Sequence, residues 1–177
     1  LQDTPESAQR DSADLINRYH GKGRNYYALT PRFAPTSSSA QMAALGELAQ
    51  QYEDVFIQTH LSENHDEIAW VKTLYPECED YLAVYEKYHM VRPRAVYGHC
   101  IHLSDSEWQR MATSGAIAAF CPTSNLFLGS GLFEMSKAEK FGVPVTLATD
   151  VGGGTSFNLL RTLGEAYKIC QLRNYSL

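Results

Sequence analysis

An apolar run followed by helical periodicity occurs five times along this chain, and this alternation limits the possible folds more than any other feature. Apolar residues recur at helical spacing after each run. Strands that alternate with helices pair in parallel, and near-continuous apolar runs are typical of strands covered on both faces. The sequence therefore predicts an α/β fold with about five parallel strands. We expect them at residues 25–30, 55–59, 94–98, 116–121 and 143–148.

Local capping signals predict where several of the helices begin. Thr4 followed by Pro5 is a typical helix start, and this first helix is expected to run to about Tyr19. The patterns Ser-x-x-Gln at residues 38–41 and Ser-x-x-Glu at residues 104–107 are capping boxes. Helices are therefore expected to follow both patterns.

Charge and motif content exclude several classes of function. The formal net charge is −5 with no block of lysine or arginine, which argues against a nucleic-acid partner. The sequence contains no G-x-G-x-x-G after a strand and no Walker lysine. No apolar run approaches the roughly 20 residues of a membrane span. The 4 cysteines form no C-x-x-C pair, so we expect reduced thiols in a cytoplasmic protein without a membrane partner.

Side chains suited to catalysis or metal binding lie at the ends of the predicted strands. In a (β/α)8 barrel the carboxyl ends of all strands converge on one face, where the active site lies. Two histidines and an aspartate form a nitrogen and oxygen ligand set suited to zinc, with iron(II) or manganese as alternatives. The strand ends carry Arg32, His60 with Glu63, His99, a predicted loop at residues 122–125, and Asp150.

Each of these residues also has a structural explanation. A histidine at a strand end commonly anchors a loop, Asp150 could cap the turn at residues 152–154, and Arg32 could form a surface ion pair. The three glycines at 152–154 are expected to let the backbone pass close to a ligand. Such side chains occur at four strand ends, however, and chance placement at all four is harder to accept than a shared functional site. The other histidines are expected to be structural (His102) or on the surface (His20, His65 and His89).

Several motifs in one order carry a resemblance to a known family. The chain resembles the metal-dependent amidohydrolase superfamily and, within it, the guanine deaminases. The combination of Thr-Pro-Arg-Phe with His-Leu-Ser-Glu-Asn is what points to guanine. The matching segments lie at residues 30–33, 58–64, 98–99, 121–126, 128–131 and 149–156.

This resemblance implies a metal-assisted hydrolysis. His60 and Asp150 would be metal ligands, and Asp150 would also orient and deprotonate a water held by the metal, expected to be zinc. Glu63 would carry a proton to a ring nitrogen and then towards the leaving ammonia. His99 would hydrogen-bond the water or the substrate, with a role as a further ligand as the alternative.

The resemblance also implies the substrate and its contacts. A small purine would be held by Arg32 and the Phe33 ring, with His60, Glu63 and Asp150 against its reacting edge. The implied reaction is the hydrolysis of guanine to xanthine and ammonia, and the implied state of the intact protein is a homodimer.

One departure from the family pattern concerns the metal site. The first barrel strand of the family carries a His-x-His pair, and no His-x-His occurs in this sequence. A complete barrel typically needs about 250 residues. We therefore expect residues 1–177 to be part of one catalytic barrel, with the N-terminal strands and the C-terminal segment absent. The five strands would correspond to the fourth to eighth of the barrel, and the isolated chain would be inactive.

Three interpretations of function stay open at this point. The first is guanine aminohydrolase, and the second is a related amidohydrolase acting on another amino-heterocycle, such as S-adenosylhomocysteine or a triazine. The third is a catalytically inactive fragment or scaffold with the same fold.

Overall fold

The computed structural model describes residues 3–176, which fold as an α/β unit around one parallel sheet. The five strands are hydrogen-bonded in chain order, and every pair is parallel. The strands are β1 (Ala28–Leu29), β2 (Phe56–Leu61), β3 (Ala95–His99), β4 (Ile117–Phe120) and β5 (Val145–Leu147). The predicted fold class, with five parallel strands alternating with helices, is confirmed.

Helices connect the strands and cover one face of the sheet. A short 3-10 helix, Ala34–Thr36, follows β1. The α-helices are α1 (Pro5–Tyr19), α2 (Ser39–Gln51), α3 (His65–Leu74), α4 (Tyr81–Lys87), α5 (Asp105–Ser114), α6 (Pro122–Leu128), α7 (Met135–Phe141) and α8 (Leu159–Leu172). None of the helices in residues 3–176 combines the length and apolarity needed to cross a membrane.

The predicted capping signals are present at the starts of three helices. Thr4 caps α1 with its hydroxyl, which accepts the Ser7 N–H at 3.1 Å. Ser38 caps α2 alone, whereas Ser104 and Glu107 form both bonds of a capping box at α5. These caps satisfy backbone N–H groups that a helix start leaves without a partner.

Two boundaries differ from the prediction in ways that affect the site. β2 continues to Leu61 because its ladder with β3 pairs Leu61 with His99, so His60 lies within the strand. The predicted loop at residues 122–125 is wrong, since these residues form the first turn of α6. Proline at the first helical position needs no hydrogen-bonded N–H, so Pro122 begins this helix without cost.

The sheet has one face packed against helices and one face that forms a cavity wall. On β2, Ile57, Thr59 and Leu61 are buried, while residues of the alternate set, such as Gln58, point to the other face. The hydrophobic core lies between the first face and the helices, and Trp108, Tyr85 and Tyr97 are among its largest fully buried side chains. The opposite face of the sheet lines the cavity that holds the candidate site.

Tyr85 connects the core directly to the strand that carries the site. Its hydroxyl donates to the His60 carbonyl oxygen at 2.8 Å and accepts the Ala34 N–H at 3.2 Å. It also lies 3.1 Å from Thr59 Oγ1, and the residue is fully buried. One hydroxyl thus satisfies polar groups of both β2 and the 3-10 helix.

Tyr85→Phe is expected to lower the free energy of unfolding by about 1–3 kcal/mol, because buried polar groups lose their partner. Chemical denaturation with an unchanged m-value would measure this. Tyr26→Phe is the matched control, since Tyr26 is 66% exposed and its change should be neutral. An equal loss in both variants would contradict the assigned role of the Tyr85 hydroxyl.

Candidate functional site

Three potential metal ligands meet at the carboxyl ends of the strands. One ligand atom from each of His60, His99 and Asp150 lies within 4.8 Å of the others. His60 and Asp150 are half-buried, and His99 is 1% exposed. Nitrogen and oxygen donors at this spacing fit a zinc ion, which takes imidazole and carboxylate ligands. In the described part of the chain no other group of three or more such side chains has this spacing.

The hydrogen bond of His60 fixes which ring nitrogen is available. Nδ1 of His60 donates to the Arg32 carbonyl oxygen at 2.7 Å. A carbonyl oxygen only accepts, so Nδ1 carries the proton and Nε2 keeps its lone pair. Histidines that bind a metal commonly donate their other ring N–H to a backbone carbonyl in this way.

The side-chain amide of Asn125, on the helix that follows β4, orients His99. Its Nδ1 donates to Asn125 Oδ1 at 2.9 Å, and its Nε2 lies 3.6 Å from Glu63 Oε2. Asn125 is fully buried on α6. The bond to Asn125 leaves Nε2 of His99 facing the Glu63 carboxylate. That arrangement favours a proton, a cation or a substrate N–H between the two groups.

Glu63 follows β2 and is held at both its backbone and its side chain. The Glu63 N–H donates to Glu67 Oε2 at 2.9 Å, and Tyr81 donates to Glu67 Oε1 at 2.8 Å. Ser130 Oγ donates to Glu63 Oε1 at 2.9 Å. The side chain of Glu63 is 15% exposed, so its carboxylate is accessible from the site but has few other orientations.

Left-handed backbone conformations are concentrated at these strand ends. The φ angle is 51° at Ser62, 70° at His99, 52° at Cys100 and 46° at Asp150. Such conformations cost non-glycine residues about 1–3 kcal/mol each and persist where the surrounding structure imposes them. The bond from the Cys100 N–H to the Leu61 carbonyl, at 2.9 Å, is one such constraint.

Two of the three glycines after Asp150, Gly153 and Gly154, pack against the site. A Cβ on Gly153 would lie 3.0 Å from Asp150 Oδ2 and 2.9 Å from Ser124 Oγ, and a Cβ on Gly154 would overlap the Thr149 carbonyl oxygen. The absence of side chains therefore lets this turn close tightly around the Asp150 carboxylate.

Arg32 and Phe33 lie at the rim beside His60. The Phe33 and His60 ring centroids are 5.5 Å apart, and the Arg32 guanidinium carbon is 5.1 Å from the Phe33 ring centroid. Arg32 is exposed, whereas Phe33 is half-buried. A flat aromatic ligand could stack on Phe33 and receive hydrogen bonds from Arg32.

The site opens into a cavity of about 740 Å³ on the uncovered face of the sheet. Pockets for small ligands commonly have volumes of about 300–1,000 Å³. His60, His99 and Asp150 line this cavity, together with Gln58 and Cys121. Burial raises the pKa of the Cys121 thiol to about 12.

The structure thus brings the sequence-predicted residues together and adds partners that the sequence analysis missed. Asn125 was included only as part of a loop, and Ser130 only as part of a motif. His102, expected to be structural, donates from Nε2 to the Ser130 carbonyl oxygen at 2.8 Å. His65 and His89 are exposed as expected, but His20 is not a surface residue. Its side chain is 7% exposed, its Nδ1 accepts the Tyr27 N–H, and its Nε2 lies 3.1 Å from Asp54 Oδ2.

A family-level comparison gives the same assignment over almost the whole chain. The sequence model of a family described as "Amidohydrolase family" matches residues 3–176. Guanine deaminase of Escherichia coli (strain K12) is 52% identical over 177 residues, which are 100% of this chain and 40% of that protein. The chain therefore spans about 40% of the length of this curated relative.

Solved structures show similarity in three dimensions. The Escherichia coli guanine deaminase structure matches with a TM-score of 0.98 over 100% of this chain and 41% of its own. A guanine deaminase from C. acetobutylicum with bound guanine in its active site is 32% identical, with a TM-score of 0.90 over 98% and 42%. A zinc-bound adenosine deaminase from Xanthomonas campestris shares the fold at 20% identity, with a TM-score of 0.82 over 94% and 38%.

Proposed function

The chain belongs to the amidohydrolase family, and from that premise we propose that it forms the metal- and purine-binding part of a guanine deaminase. The proposed reaction is the hydrolysis of guanine to xanthine and ammonia. The observation that carries this proposal is the meeting of His60, His99 and Asp150 beside Glu63 and the Arg32–Phe33 pair. The similarity to guanine deaminases over the full chain supports the choice of substrate.

His60 and Asp150 are the proposed metal ligands, and zinc is the proposed ion, with iron or manganese as alternatives. The unprotonated Nε2 of His60 and the Asp150 carboxylate are donors of the kind that these ions bind. When bound, such an ion lowers the pKa of a coordinated water to about 7 and so supplies a nucleophile at neutral pH.

Glu63 and Asp150 transfer the two protons of the attacking water. Glu63 takes one proton from the water and delivers it to a ring nitrogen, which makes the carbon bearing the amino group more electrophilic. Asp150 accepts the other as the C–O bond forms, and this proton reaches the amino group by way of Glu63. The C–N bond breaks, ammonia leaves, and the ring nitrogen keeps its proton in xanthine.

His99 and the rim residues orient the reactants. His99 faces Glu63 through Nε2 and is proposed to hydrogen-bond the water or the substrate. Phe33 would stack on the purine and Arg32 would donate to its acceptor atoms, while His60, Glu63 and Asp150 contact the reacting edge. This division predicts separate effects on substrate binding and on chemistry.

Arg32→Ala is expected to raise KM for guanine about tenfold or more with a small change in kcat, because a charge-assisted hydrogen bond to the substrate is lost. Metal content should stay unchanged. Steady-state kinetics and elemental analysis would measure both. Arg18→Ala is the matched control, since Arg18 makes a similar contact with Tyr19, 5.1 Å from the ring centroid, on α1. An unaltered KM for Arg32→Ala would remove Arg32 from the proposed binding site.

We further propose that residues 1–177 are part of a larger (β/α)8 barrel. The described sheet ends at β1 on one side and at β5 on the other, and the chain spans about 40% of its relative. A His-x-His pair on another strand would complete the ligand set. The tests therefore use the complete protein that contains these residues. Its homodimeric state and cytoplasmic location stay predictions, the first of them testable by light scattering.

The experiment that tests the function is ammonia release by the metal-loaded complete protein. Guanine is compared with S-adenosylhomocysteine, adenosine and an aminotriazine under the same conditions. Preference for guanine supports the proposal, whereas preference for another heterocycle favours a related amidohydrolase. A folded, metal-loaded protein without turnover would favour a scaffold.

A further inference from the structure

Ser130 contacts the side chain that the proposed mechanism uses for proton transfer. Its Oγ donates to Glu63 Oε1 at 2.9 Å, across 67 positions of the chain. The other carboxylate oxygen, Oε2, lies 3.6 Å from His99 Nε2. The two oxygens of Glu63 therefore have different environments: one is bonded to Ser130, and the other faces the site.

Ser130 is itself held in place by both of its backbone polar groups. The Ser130 N–H donates to the Asn125 carbonyl at 2.9 Å, and the Ser130 carbonyl accepts from His102 Nε2 at 2.8 Å. The next residue, Gly131, has a φ of 137°, and a Cβ there would lie 2.9 Å from Ile101 Cγ2. This close approach of the loop fixes the position of the Ser130 hydroxyl, and the residue is 9% exposed.

The same segment also orients His99, the side chain that faces Glu63. Asn125 accepts from His99 Nδ1 through its side chain and from Ser130 N–H through its backbone. Helix α6 and its following loop thus hold both His99 and Glu63. Fixing a glutamate side chain costs rotamer entropy, and supporting hydrogen bonds offset that cost before the substrate binds.

We infer that Ser130 is a positioning residue for Glu63, which acts by fixing the carboxylate with Oε2 turned towards His99. A serine hydroxyl has a single proton to donate. While Ser130 donates it to Oε1, the other oxygen, Oε2, keeps its place facing His99. This inference rests on the proposed function for the role of Glu63, and its geometry stands on the contacts alone.

The test uses Ser130→Ala and Ser130→Thr in the complete, metal-loaded protein. Ser130→Ala is expected to lower kcat for guanine roughly 10- to 100-fold, the range for losing a hydrogen bond to a charged group, with KM within about twofold. Ser130→Thr, which keeps the hydroxyl, should recover most of kcat. Ser114→Ala is the matched control, since Ser114 Oγ donates to the Met111 carbonyl at the end of α5 and should leave kcat unchanged.

A double-mutant cycle separates positioning from a general structural effect. If Ser130 acts through Glu63, Ser130→Ala should lower kcat no further in a Glu63→Gln background, because interacting residues are not additive. An equal loss of kcat from Ser130→Ala in the wild-type and Glu63→Gln backgrounds would overturn the inference. So would a Ser130→Thr variant that does not recover kcat. Ser130→Cys, with a similar shape and a weaker donor, replaces the alanine variant if that one does not fold.

A structural measurement keeps this test independent of the substrate. In crystals of the complete protein, Glu63 Oε1 should lie on Ser130 Oγ in the wild type, and the carboxylate should move in Ser130→Ala. An unmoved Glu63 would overturn the positioning role even if guanine is turned over. Absence of guanine turnover in the wild type, with Glu63 displaced in the variant, would reject the proposed function alone.

Discussion

Glu63→Gln is expected to lower guanine turnover about 10²–10⁴-fold, the range that general acid–base catalysis contributes. Glutamine has nearly the same shape, and its amide oxygen can still accept the hydrogen bond from Ser130, which lies 2.9 Å from Oε1 in the wild type. An amide cannot take up and release a proton at neutral pH. The loss should therefore fall on kcat, while the binding of guanine persists.

Metal content separates this effect from damage to the metal site. Glu63 is neither of the two proposed metal ligands, His60 and Asp150, so Glu63→Gln should bind the same amount of metal as the wild type. Glu165→Gln on α8 is the matched control, because it removes an exposed-face carboxylate whose partner is Lys168. Full turnover by Glu63→Gln would exclude Glu63 as the proton carrier, and loss of metal would indicate a different role.

His60→Ala is expected to remove most of the bound metal and, with it, turnover. The change deletes the proposed nitrogen ligand, whose Nε2 is left free by the 2.7 Å bond from Nδ1 to the Arg32 carbonyl. Loss of that bond would also free the segment that carries Arg32 and Phe33. Elemental analysis of purified protein and a zinc titration would measure the loss of affinity.

His89→Asn is the matched control for the loss of an imidazole. His89 is exposed and has a φ of 57°, a conformation that asparagine tolerates better than alanine. This variant should keep the wild-type metal content and turnover. Unchanged metal stoichiometry in His60→Ala would refute the ligand assignment, and partial turnover after adding excess zinc would indicate weakened binding only.

Local patterns in the sequence were sufficient to predict the order and type of the elements. Capping at Thr4, Ser38 and Ser104 and the apolar runs identified most helices and all five strands, because caps and periodicity depend on neighbours within one or two turns. The exact strand ends were less accurate. β1 contains only Ala28–Leu29, since strand length is set by pairing with the next strand.

Site residues were predicted from the sequence where a side chain able to bind a metal or transfer a proton lies at the end of a predicted strand. His60, His99 and Asp150 were identified because parallel strands deliver their carboxyl ends to one edge of the sheet. The role of residues 122–125 was missed, because a helix beginning at Pro122 reads as a loop when only the proline is considered. Asn125, buried in that helix, contacts His99 across 26 positions.

The sequence by itself determined the fold class, the positions of the candidate site residues along the chain and the family resemblance, since these depend on local periodicity and ordered motifs. Only the tertiary structure decided how those side chains are held. The bonds of His60 to the Arg32 carbonyl and of Glu63 to Ser130 join residues 28 and 67 positions apart. No local pattern encodes such contacts, because they arise only when the sheet brings separate loops together.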